Sequence, residues 1–309
     1  MEAPQSGKVW RIGFMANGVR GPDFDGLRNG FGRLGYAEGQ NIIFEPRFAE
    51  HQLDRHPSFA DDLVRLGVDL ILTFGGPATF AAKKATAHIP LVFLLVADPV
   101  AVGVAASLEQ PGSNATGVTN HDPEQATNQF ALLKEVCPEL TRVAILSDAD
   151  IPGADAGGLA PIERANDDAA RAYGLRPQVF KVRGPHPDLE DVFAAMEKER
   201  AEALLVLEVP APVFHRKRVA ELAAAHRLPT IFPGSVADAG GLITYGTSVF
   251  DGLPRLPVIA DKVLRGAKPA DLPIEVISRR VLMINLATAR AIGVSIPPRL
   301  LQRADNIIE

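Results

Sequence analysis

Short apolar runs rich in β-branched residues alternate along the chain with stretches in which apolar residues recur every three or four positions. The alternation repeats about every 25 to 30 residues, which is the length of a β-α unit. The strand runs are almost continuously apolar, and this predicts parallel sheets covered by helices on both faces. The predicted strands are 11–16, 42–48, 68–74, 91–96, 116–119, 143–147, 178–182, 203–207, 230–232 and 242–245. The predicted helices are 58–66, 80–85, 125–136, 162–173, 189–200 and 213–226, with a final Pro-initiated helix within 295–309.

Clusters of glycine and proline interrupt this pattern at 110–117, 239–241 and 266–273. The length of 309 residues is sufficient for two domains of ordinary size. We interpret the first two interruptions as places where the chain crosses between two similar lobes. The predicted fold class is therefore α/β, with two lobes that each contain a parallel sheet.

The composition is typical of a globular protein, with 47% hydrophobic and 22% charged residues. A net charge of −5 and the absence of a long Lys/Arg block argue against a nucleic-acid partner. The most basic run, 215–218, is interpreted as the solvated face of a helix. No apolar stretch approaches the roughly 20 residues that span a bilayer, so the chain is not expected to be membrane-spanning. The single cysteine, Cys137, excludes an internal disulfide and any multi-thiolate metal site.

The sequence motifs of common catalytic and cofactor sites are absent. The first strand is not followed by G-x-G-x-x-G, and no G-x-x-x-x-G-K-S/T occurs. Pro111 and Pro233 stand where a G-x-S-x-G motif requires its first glycine. The seven histidines have no metal-ligand spacing, and solvent-facing or capping roles are expected for His51 and His56. The expectation is no cofactor and no metal.

The stretch T-F-G-G-P-A-T at 73–79 joins a buried strand to a helix. Paired glycines let a ligand approach the backbone, and Pro77 is suited to a first helical position, where its missing N–H is not needed. This geometry would direct free N–H groups and the positive end of a helix dipole towards an anionic or strongly polar group. An ordinary strand-to-helix turn remains the alternative.

Polar or small residues follow most of the other predicted strands as well. Open parallel sheets bind ligands at the carboxyl ends of their strands, so these residues are predicted to line one cleft. Helix capping is the competing explanation for the two aspartates among them. The candidate ligand-binding residues are Asn17, Gly75, Gly76, Pro77, Ala78, Thr79, Asp98, Thr119, Asn120, Ser147, Asp148, Glu208, Ser235 and Tyr245.

Several stretches resemble one known family along most of the chain. They include D-P-V at 98–100, P-G-S-N-A-T-G at 111–117 and S-I-P-P-R-L-L-Q-R-A-D at 295–305. These segments are similar to the ABC-transporter substrate-binding proteins of the tryptophan/tyrosine type. The resemblance implies a periplasmic-binding fold of type I, with two Rossmann-like lobes, three crossovers and a solute cleft between the lobes. It implies an N-terminal lobe of 8–120 plus 243–274 and a C-terminal lobe of 121–242 plus 275–309.

The resemblance also implies a receptor without catalytic residues that binds a small carboxylate-bearing solute, an amino acid or an aromatic acid, by hinge closure. Its partners would be this solute and the permease subunits of an ABC importer. The Gly-Gly-Pro-Ala-Thr turn would meet the carboxylate, and Asp98, Asp148 or Glu208 would hold an ammonium group. The loops 207–214 and 232–241 depart from the family pattern, so the solute is not identified. Relatives begin with an export signal that this sequence lacks, so we expect a processed protein in the periplasm or otherwise outside the cytoplasm.

Two other functions remain as alternatives. One is the effector-binding domain of a transcriptional regulator, of which this chain would be a fragment. The other is a cofactor-independent enzyme on the same fold, such as an amino-acid racemase. A two-base cysteine racemase needs two thiols, and only Cys137 exists. No motif supports a version that uses carboxylates.

Overall fold

The structure is a computed structural model that describes residues 8–309. Thirteen strands are formed by these described residues. They are β1 (Trp10–Ala16), β2 (Ile42–Phe48), β3 (Leu70–Phe74), β4 (Leu91–Leu94), β5 (Ala115–Thr119), β6 (Arg142–Asp148), β7 (Arg176–Val182), β8 (Ala203–Val206), β9 (Thr230–Phe232), β10 (Ile243–Thr247), β11 (Glu275–Val276), β12 (Arg280–Asn285) and β13 (Asn306–Ile308).

Eleven α-helices lie between or after these strands in the same range. They are α1 (Pro22–Arg33), α2 (His56–Arg65), α3 (Gly76–Ala85), α4 (Gln125–Val136), α5 (Pro161–Ala172), α6 (Leu189–Lys198), α7 (Pro210–Phe214), α8 (Arg216–Ala225), α9 (Arg255–Leu264), α10 (Leu286–Ile292) and α11 (Pro298–Arg303).

The chain divides into two compact units. The first unit contains the described residues up to His121 together with Val249–Ile277, and the second contains Asp122–Ser248 and Ser278–Glu309. The chain therefore passes from one unit to the other three times.

The first unit is built on a six-stranded sheet with the order β11-β5-β4-β3-β1-β2, in which every pair is parallel. Successive side chains of a strand point to opposite faces, so each strand supplies two cores. Phe14 in β1 packs with Phe24 of α1 on the face that α9 also covers. Its neighbour Met15 belongs to the opposite core, with Leu63 of α2 and Ala78 of α3.

The second unit is built on a seven-stranded sheet with the order β13-β12-β10-β9-β8-β6-β7. All its pairs are parallel except β10 with β12. Alternate β6 residues again face two cores: Val143 and Ile145 contact the core under α4 and α5, and Ala144 and Leu146 contact the core under α6 and α8. Burial on both faces explains why the strand runs are almost continuously apolar.

The predicted α/β class with two mostly parallel sheets is confirmed. The two interruptions interpreted as crossing places lie inside the units, however, and the predicted boundaries near 243 and 275 differ from the structure. The glycine-proline cluster at 110–117 leads into β5 inside the first unit. The break at 239–241 lies inside the second unit, where the Thr230 hydroxyl accepts the N–H of Leu242 at 2.8 Å. Strand β10, which follows this break, pairs with β9 and β12 in the second sheet, although 243–274 was predicted as part of the N-terminal lobe. In the same way β11 joins the first sheet, although 275–309 was predicted as C-terminal.

Some elements were not predicted at all. Helix α1 contains Gly26, Gly30 and Gly32, which lower helix propensity, but it buries Phe24 and Phe31 against the sheet. Strands β11 and β13 are only two and three residues long, too short to show periodicity. The predicted helix 213–226 is two helices, α7 and α8, which meet at His215.

Gly117 in β5 shows why one glycine of the P-G-S-N-A-T-G stretch is required. A Cβ placed on Gly117 would lie 2.1 Å from the carbonyl oxygen of Phe93 in the neighbouring strand β4. The contact is with backbone, so no side chain can move away to relieve it. The two strands can pair at this point only because residue 117 has no side chain.

We predict that Gly117→Ala destabilises the protein by more than about 3 kcal/mol, because the β4–β5 ladder would have to separate. Gly32→Ala is the matched control: a Cβ on Gly32 has no neighbour within 4 Å. That change is expected to stabilise by about 0.5–1 kcal/mol through helix propensity. Urea denaturation monitored by circular dichroism measures both. A Gly117→Ala protein as stable as wild type would contradict the assigned close approach.

Candidate functional site

The carboxyl edge of a sheet is the edge at which its parallel strands end. At the carboxyl edge of the first unit's sheet lies the turn between β3 and α3. Gly75 has φ +99°, a conformation that favours glycine, and donates its N–H to the carbonyl of Leu94 at 2.9 Å. A Cβ on Gly75 would lie 2.2 Å from Nδ2 of Asn17, the residue that follows β1. Glycine at 75 therefore lets the Asn17 amide lie directly against the backbone at the start of α3.

The first turn of α3 offers fewer N–H donors than the sequence predicts. Pro77 has none, Ala78 is fully buried, and the N–H of Thr79 donates to the Gly75 carbonyl at 3.1 Å. Gly76 is half-buried, as is Pro77, and the N–H of Gly76 has no acceptor within the helix. No acidic residue stands in the first turn of α3. The dipole of α3 and the N–H of Gly76 therefore provide the anion-attracting part of this edge.

Thr79 has a structural role that the sequence prediction did not separate from ligand binding. Its side chain is fully buried, and its hydroxyl donates to the Gly75 carbonyl at 2.9 Å and lies 2.8 Å from the hydroxyl of Thr73. These contacts place Thr79 inside the turn, where it ties the end of β3 to the start of α3.

Asn17 is held by contacts on several sides and is only 8% exposed. Its Oδ1 lies 2.8 Å from Nε2 of His56, and its backbone carbonyl accepts the N–H of His51 at 2.8 Å. Glu50 and His51 both have positive φ, +53° and +67°, which curls the β2–α2 loop over the loop after β1. Oδ1 of Asn17 is therefore engaged by His56, and Nδ2 is the amide atom that lies against the backbone of Gly75.

His56 is the residue of this edge that sequence reasoning missed. A solvent-facing or capping role was expected, and that expectation is wrong because His56 is 1% exposed. Burial lowers the pKa of His56 to about 4. A His-Pro pair at a helix start is typical of a surface turn, and nothing local indicates that the ring points inwards towards β1.

Asp98 and Thr119 organise the loops beyond β4 and β5. Oδ1 of Asp98 accepts the N–H groups of Val100 at 3.2 Å and Ala101 at 2.9 Å, so the capping explanation describes this oxygen. Oδ2 of Asp98 lies 3.8 Å from Nδ1 of His121. Thr119 is fully buried, and its hydroxyl donates to the Val96 carbonyl at 2.5 Å. Its neighbour Asn120 is also buried.

In the second unit, Ser147 and Asp148 at the end of β6 are interior residues. Asp148 is 1% exposed, and its two oxygens accept the N–H groups of Asp150 and Ala211, each at 2.8 Å. It therefore joins the turn after β6 to the first turn of α7, and burial raises the pKa of its carboxyl. Ser147 is fully buried, and its Oγ has no hydrogen-bond partner among the described residues.

Glu208 and Ser235 follow β8 and β9 on the same edge and are both half-buried. The Ser235 hydroxyl donates a short hydrogen bond to the Glu208 carboxylate. A Cβ on the preceding Gly234 would lie 2.3 Å from the carbonyl oxygen of Gly246, so this turn packs against β10 backbone to backbone. That close packing fixes where Ser235 stands, and Ser235 in turn orients the carboxylate.

Tyr245 in β10 is half-buried, and its ring packs against the core under α4 and α5. Its backbone carbonyl accepts Nε2 of Gln129 at 3.1 Å, and burial raises the pKa of its phenol. Close to this tyrosine, Arg280 donates to both oxygens of Asp122, each at 2.6 Å. Gln129 and Arg280 were not predicted, because their roles depend on pairing between distant segments.

The sequence of this protein matches a known family over most of its length. A sequence model described as ABC transporter substrate binding protein matches residues 19–308. The chain belongs to this family. Its members are receptors that bind a solute rather than enzymes, which confirms the family resemblance found in the sequence.

A tyrosine-binding protein of Clostridioides difficile is 25% identical over 283 residues, which cover 89% of this chain and 78% of that relative. A Streptococcus ABC domain in complex with L-Trp superposes with a TM-score of 0.83 at 24% identity, over 97% of this chain and 100% of that one. A ligand-free, open substrate-binding protein with adhesive properties, from Clostridium difficile, gives 0.65 at 21% identity, covering 97% and 99%. These structures confirm the type I periplasmic-binding fold for this family member.

Two further findings concern residues 8–309 of this substrate-binding protein. None of the helices in that range has the length and apolar character needed to cross a membrane. Within the same part of the chain, no three or more His, Cys, Asp or Glu side chains are grouped as metal ligands.

We predict that His56 makes stability fall as the pH falls from 6.5 towards 4. The unfolded chain takes up a proton near the ordinary pKa of 6.5, whereas the folded protein resists protonation until about 4. The stabilisation is therefore complete above pH 6.5, and about 2–3 kcal/mol is lost by pH 4.5. Urea midpoints at pH 7 and 4.5 measure this loss. His56→Gln should remove most of it, and an equal loss in that variant would contradict the assignment.

Proposed function

We propose that this protein is the extracytoplasmic solute receptor of an ABC importer, and that it captures a small carboxylate-bearing solute, an amino acid or an aromatic acid. The solute would be held by closure of the two units and then passed to permease subunits. The family match over residues 19–308 supports the receptor role. The single structural observation that carries the choice of a carboxylate is the pair of donors at the start of α3.

That pair consists of the N–H of Gly76 and Nδ2 of Asn17. The two donors belong to adjoining parts of one edge, because Asn17 lies against Gly75. Neither carries a formal charge, but the dipole of α3 adds a positive potential at the same place. A carboxylate has two oxygens and can accept from both donors at once, as anions commonly do at helix N-termini.

The ligands of similar proteins support this chemistry. The relative from Clostridioides difficile is named for tyrosine, and the Streptococcus structure contains L-Trp. A solute-binding protein from Rhodopseudomonas palustris, with a TM-score of 0.52 at 18% identity over 84% of this chain and 75% of that one, contains 3,4-dihydroxybenzoic acid. All three compounds combine a carboxylate with an aromatic ring.

Glu208 is the best placed residue for an ammonium group, which would make the solute an amino acid. Of the three acidic residues considered for that role, Asp148 is enclosed by the two N–H groups that it accepts. One oxygen of Asp98 holds the turn that follows it. The Glu208 carboxylate is half-buried at the edge and accepts a hydrogen bond from the Ser235 hydroxyl.

The first test places a charge at the start of α3. A Cβ on Gly76 meets no neighbour within 4 Å, so a side chain is tolerated there. We predict that Gly76→Asp lowers the affinity for L-tyrosine or L-tryptophan at least about tenfold relative to Gly76→Asn, through repulsion of the solute carboxylate. Without solute, Gly76→Asp should be about 0.3–1 kcal/mol more stable than Gly76→Asn, because a negative charge is stabilised at a helix N-terminus.

Isothermal titration calorimetry supplies the affinities, and thermal unfolding without solute supplies the stability. The comparison of Asp with Asn removes the effect of side-chain bulk and leaves the charge. Equal affinities in these two variants would contradict carboxylate binding at this turn. A wild-type protein that binds none of a panel of amino acids and aromatic acids would contradict the proposed function itself.

The second test asks whether the solute's ammonium group is recognised. We predict that wild type binds L-tyrosine at least about tenfold more tightly than 3-(4-hydroxyphenyl)propionate, which lacks the amine. Glu208→Gln should reduce this preference to less than about threefold, mainly by weakening L-tyrosine. Competition binding with both compounds measures the ratio.

Glu139→Gln is the control, because Glu139 is exposed in the turn at the opposite edge of the second sheet. It should keep the wild-type ratio. If wild type binds both compounds equally, the solute is a simple acid and the role given to Glu208 is wrong.

A further inference from the structure

The amide of Asn17 can present either of two groups to the start of α3. With Nδ2 facing Gly75, the edge offers a second donor beside the Gly76 N–H. With the amide rotated by 180°, Oδ1 would face the same backbone and offer an acceptor. An acceptor there would compete with an anionic solute for the helix N-terminus. The orientation of one amide therefore decides whether this edge attracts or repels a carboxylate.

The structure shows the donor orientation, and His56 is the residue in contact with the opposite side of the amide. Oδ1 of Asn17 lies 2.8 Å from Nε2 of His56, while Nδ2 is the atom nearest to a Cβ placed on Gly75. Oδ1 would be 3.4 Å from that position, compared with 2.2 Å for Nδ2. The imidazole is 1% exposed, so water does not compete for this hydrogen bond.

The second ring nitrogen of His56 indicates which tautomer is present. Nδ1 is buried and has no hydrogen-bond partner among residues 8–309. A proton on Nδ1 would be a buried donor without an acceptor, which costs about 1–3 kcal/mol. It would also leave Nε2 as an acceptor facing Oδ1, so the Asn17 amide would have to rotate. A proton on Nε2 leaves Nδ1 as an unprotonated acceptor rather than a buried donor, and Nε2–H then donates to Oδ1, so the amide keeps its orientation.

We propose that His56 is a positioning residue that, as the Nε2–H tautomer, holds the Asn17 amide with Nδ2 towards the solute carboxylate. The inference rests on the proposed function only for the identity of the bound group. His56 does not touch the solute in this scheme, and it acts through the orientation of Asn17.

The depressed pKa of His56 agrees with a neutral ring at physiological pH, since burial disfavours the imidazolium. A neutral ring has one donor and one acceptor nitrogen, so its tautomer can determine the orientation of a neighbouring amide. Backbone contacts hold the same loop in place, because the Asn17 carbonyl accepts the N–H of His51. The side chain's remaining freedom is therefore mainly the rotation that His56 prevents.

The tautomer can be observed directly in the wild-type protein. Long-range proton–nitrogen NMR of the ¹⁵N-labelled histidine rings at pH 7 distinguishes a protonated Nε2 from a protonated Nδ1. The expected result is Nε2–H for His56, with and without L-tyrosine. A protonated Nδ1 in His56 would overturn the proposal, whatever the protein binds.

Two substitutions test the effect on the solute. His56→Leu removes the donor, and we expect the affinity for L-tyrosine to fall about fivefold or more, the equivalent of one ordinary hydrogen bond. His56→Gln can again place an amide N–H against Oδ1, so it should bind within about twofold of wild type. His88→Leu makes the same chemical change at an exposed turn of the first unit and should leave the affinity unchanged.

A His56→Leu protein that binds as well as wild type would overturn the positioning role. If His56→Leu does not fold, Asn17→Asp takes its place, because it presents only acceptors to α3 and should abolish detectable binding of L-tyrosine. Binding by Asn17→Asp that equals wild type would likewise overturn the proposal. Failure of the wild-type protein to bind any carboxylate would contradict the proposed function. The NMR measurement would still show which ring nitrogen of His56 carries the proton, and so would test the positioning role separately.

Discussion

The close contact between the Asn17 amide and the backbone of Gly75 is the constraint on which the first unit's edge depends. It requires a residue without a Cβ at 75, and it requires an interior partner for the far side of the amide. The turn after β3 and the loop after β1 are therefore in close van der Waals contact, with no space for a side chain at residue 75. Thr79 and Thr73 hold one side of this contact from within the turn, and His56 holds the other from α2.

In the proposed site, binding of a carboxylate by neutral donors would have a physical advantage for a receptor that must also release its solute. A buried Lys or Arg would lose its hydration whenever the site was filled and would need a permanent counter-charge when it was empty. A helix N-terminus and a side-chain amide supply a positive potential without that requirement. The donors at α3 therefore carry no formal charge in the empty state, and the His56 ring that contacts Asn17 is neutral as well.

Sequence reasoning located the strand ends but could not tell which polar side chains face outwards. The β-α alternation correctly predicted most strands, because strands covered on both faces are apolar at every position. At the strand ends the residue types are the same for two different roles. Thr79, Thr119, Ser147 and Asp148 are buried, whereas Gly76, Glu208, Ser235 and Tyr245 are half-buried at the edge. Only the packing of neighbouring loops separates these two groups. The short strands β11 and β13 escaped prediction because they exist through pairing with distant residues, whereas the predicted Pro-initiated helix near the C-terminus is present as α11.

Because some polar residues are buried and others are half-buried, the two units differ in the polar groups that remain accessible at the carboxyl edges of their sheets. In the first unit, the acid at the edge, Asp98, is partly used to hold a turn, and the donors at α3 dominate. In the second unit, Asp148 is enclosed, but Glu208 keeps a half-buried carboxylate that a neutral hydroxyl orients. The first unit's edge thus offers neutral hydrogen-bond donors, and the second unit's edge offers a carboxylate. The proposed solute, an amino acid, carries one group suited to each edge taken by itself: a carboxylate for the first and an ammonium group for the second.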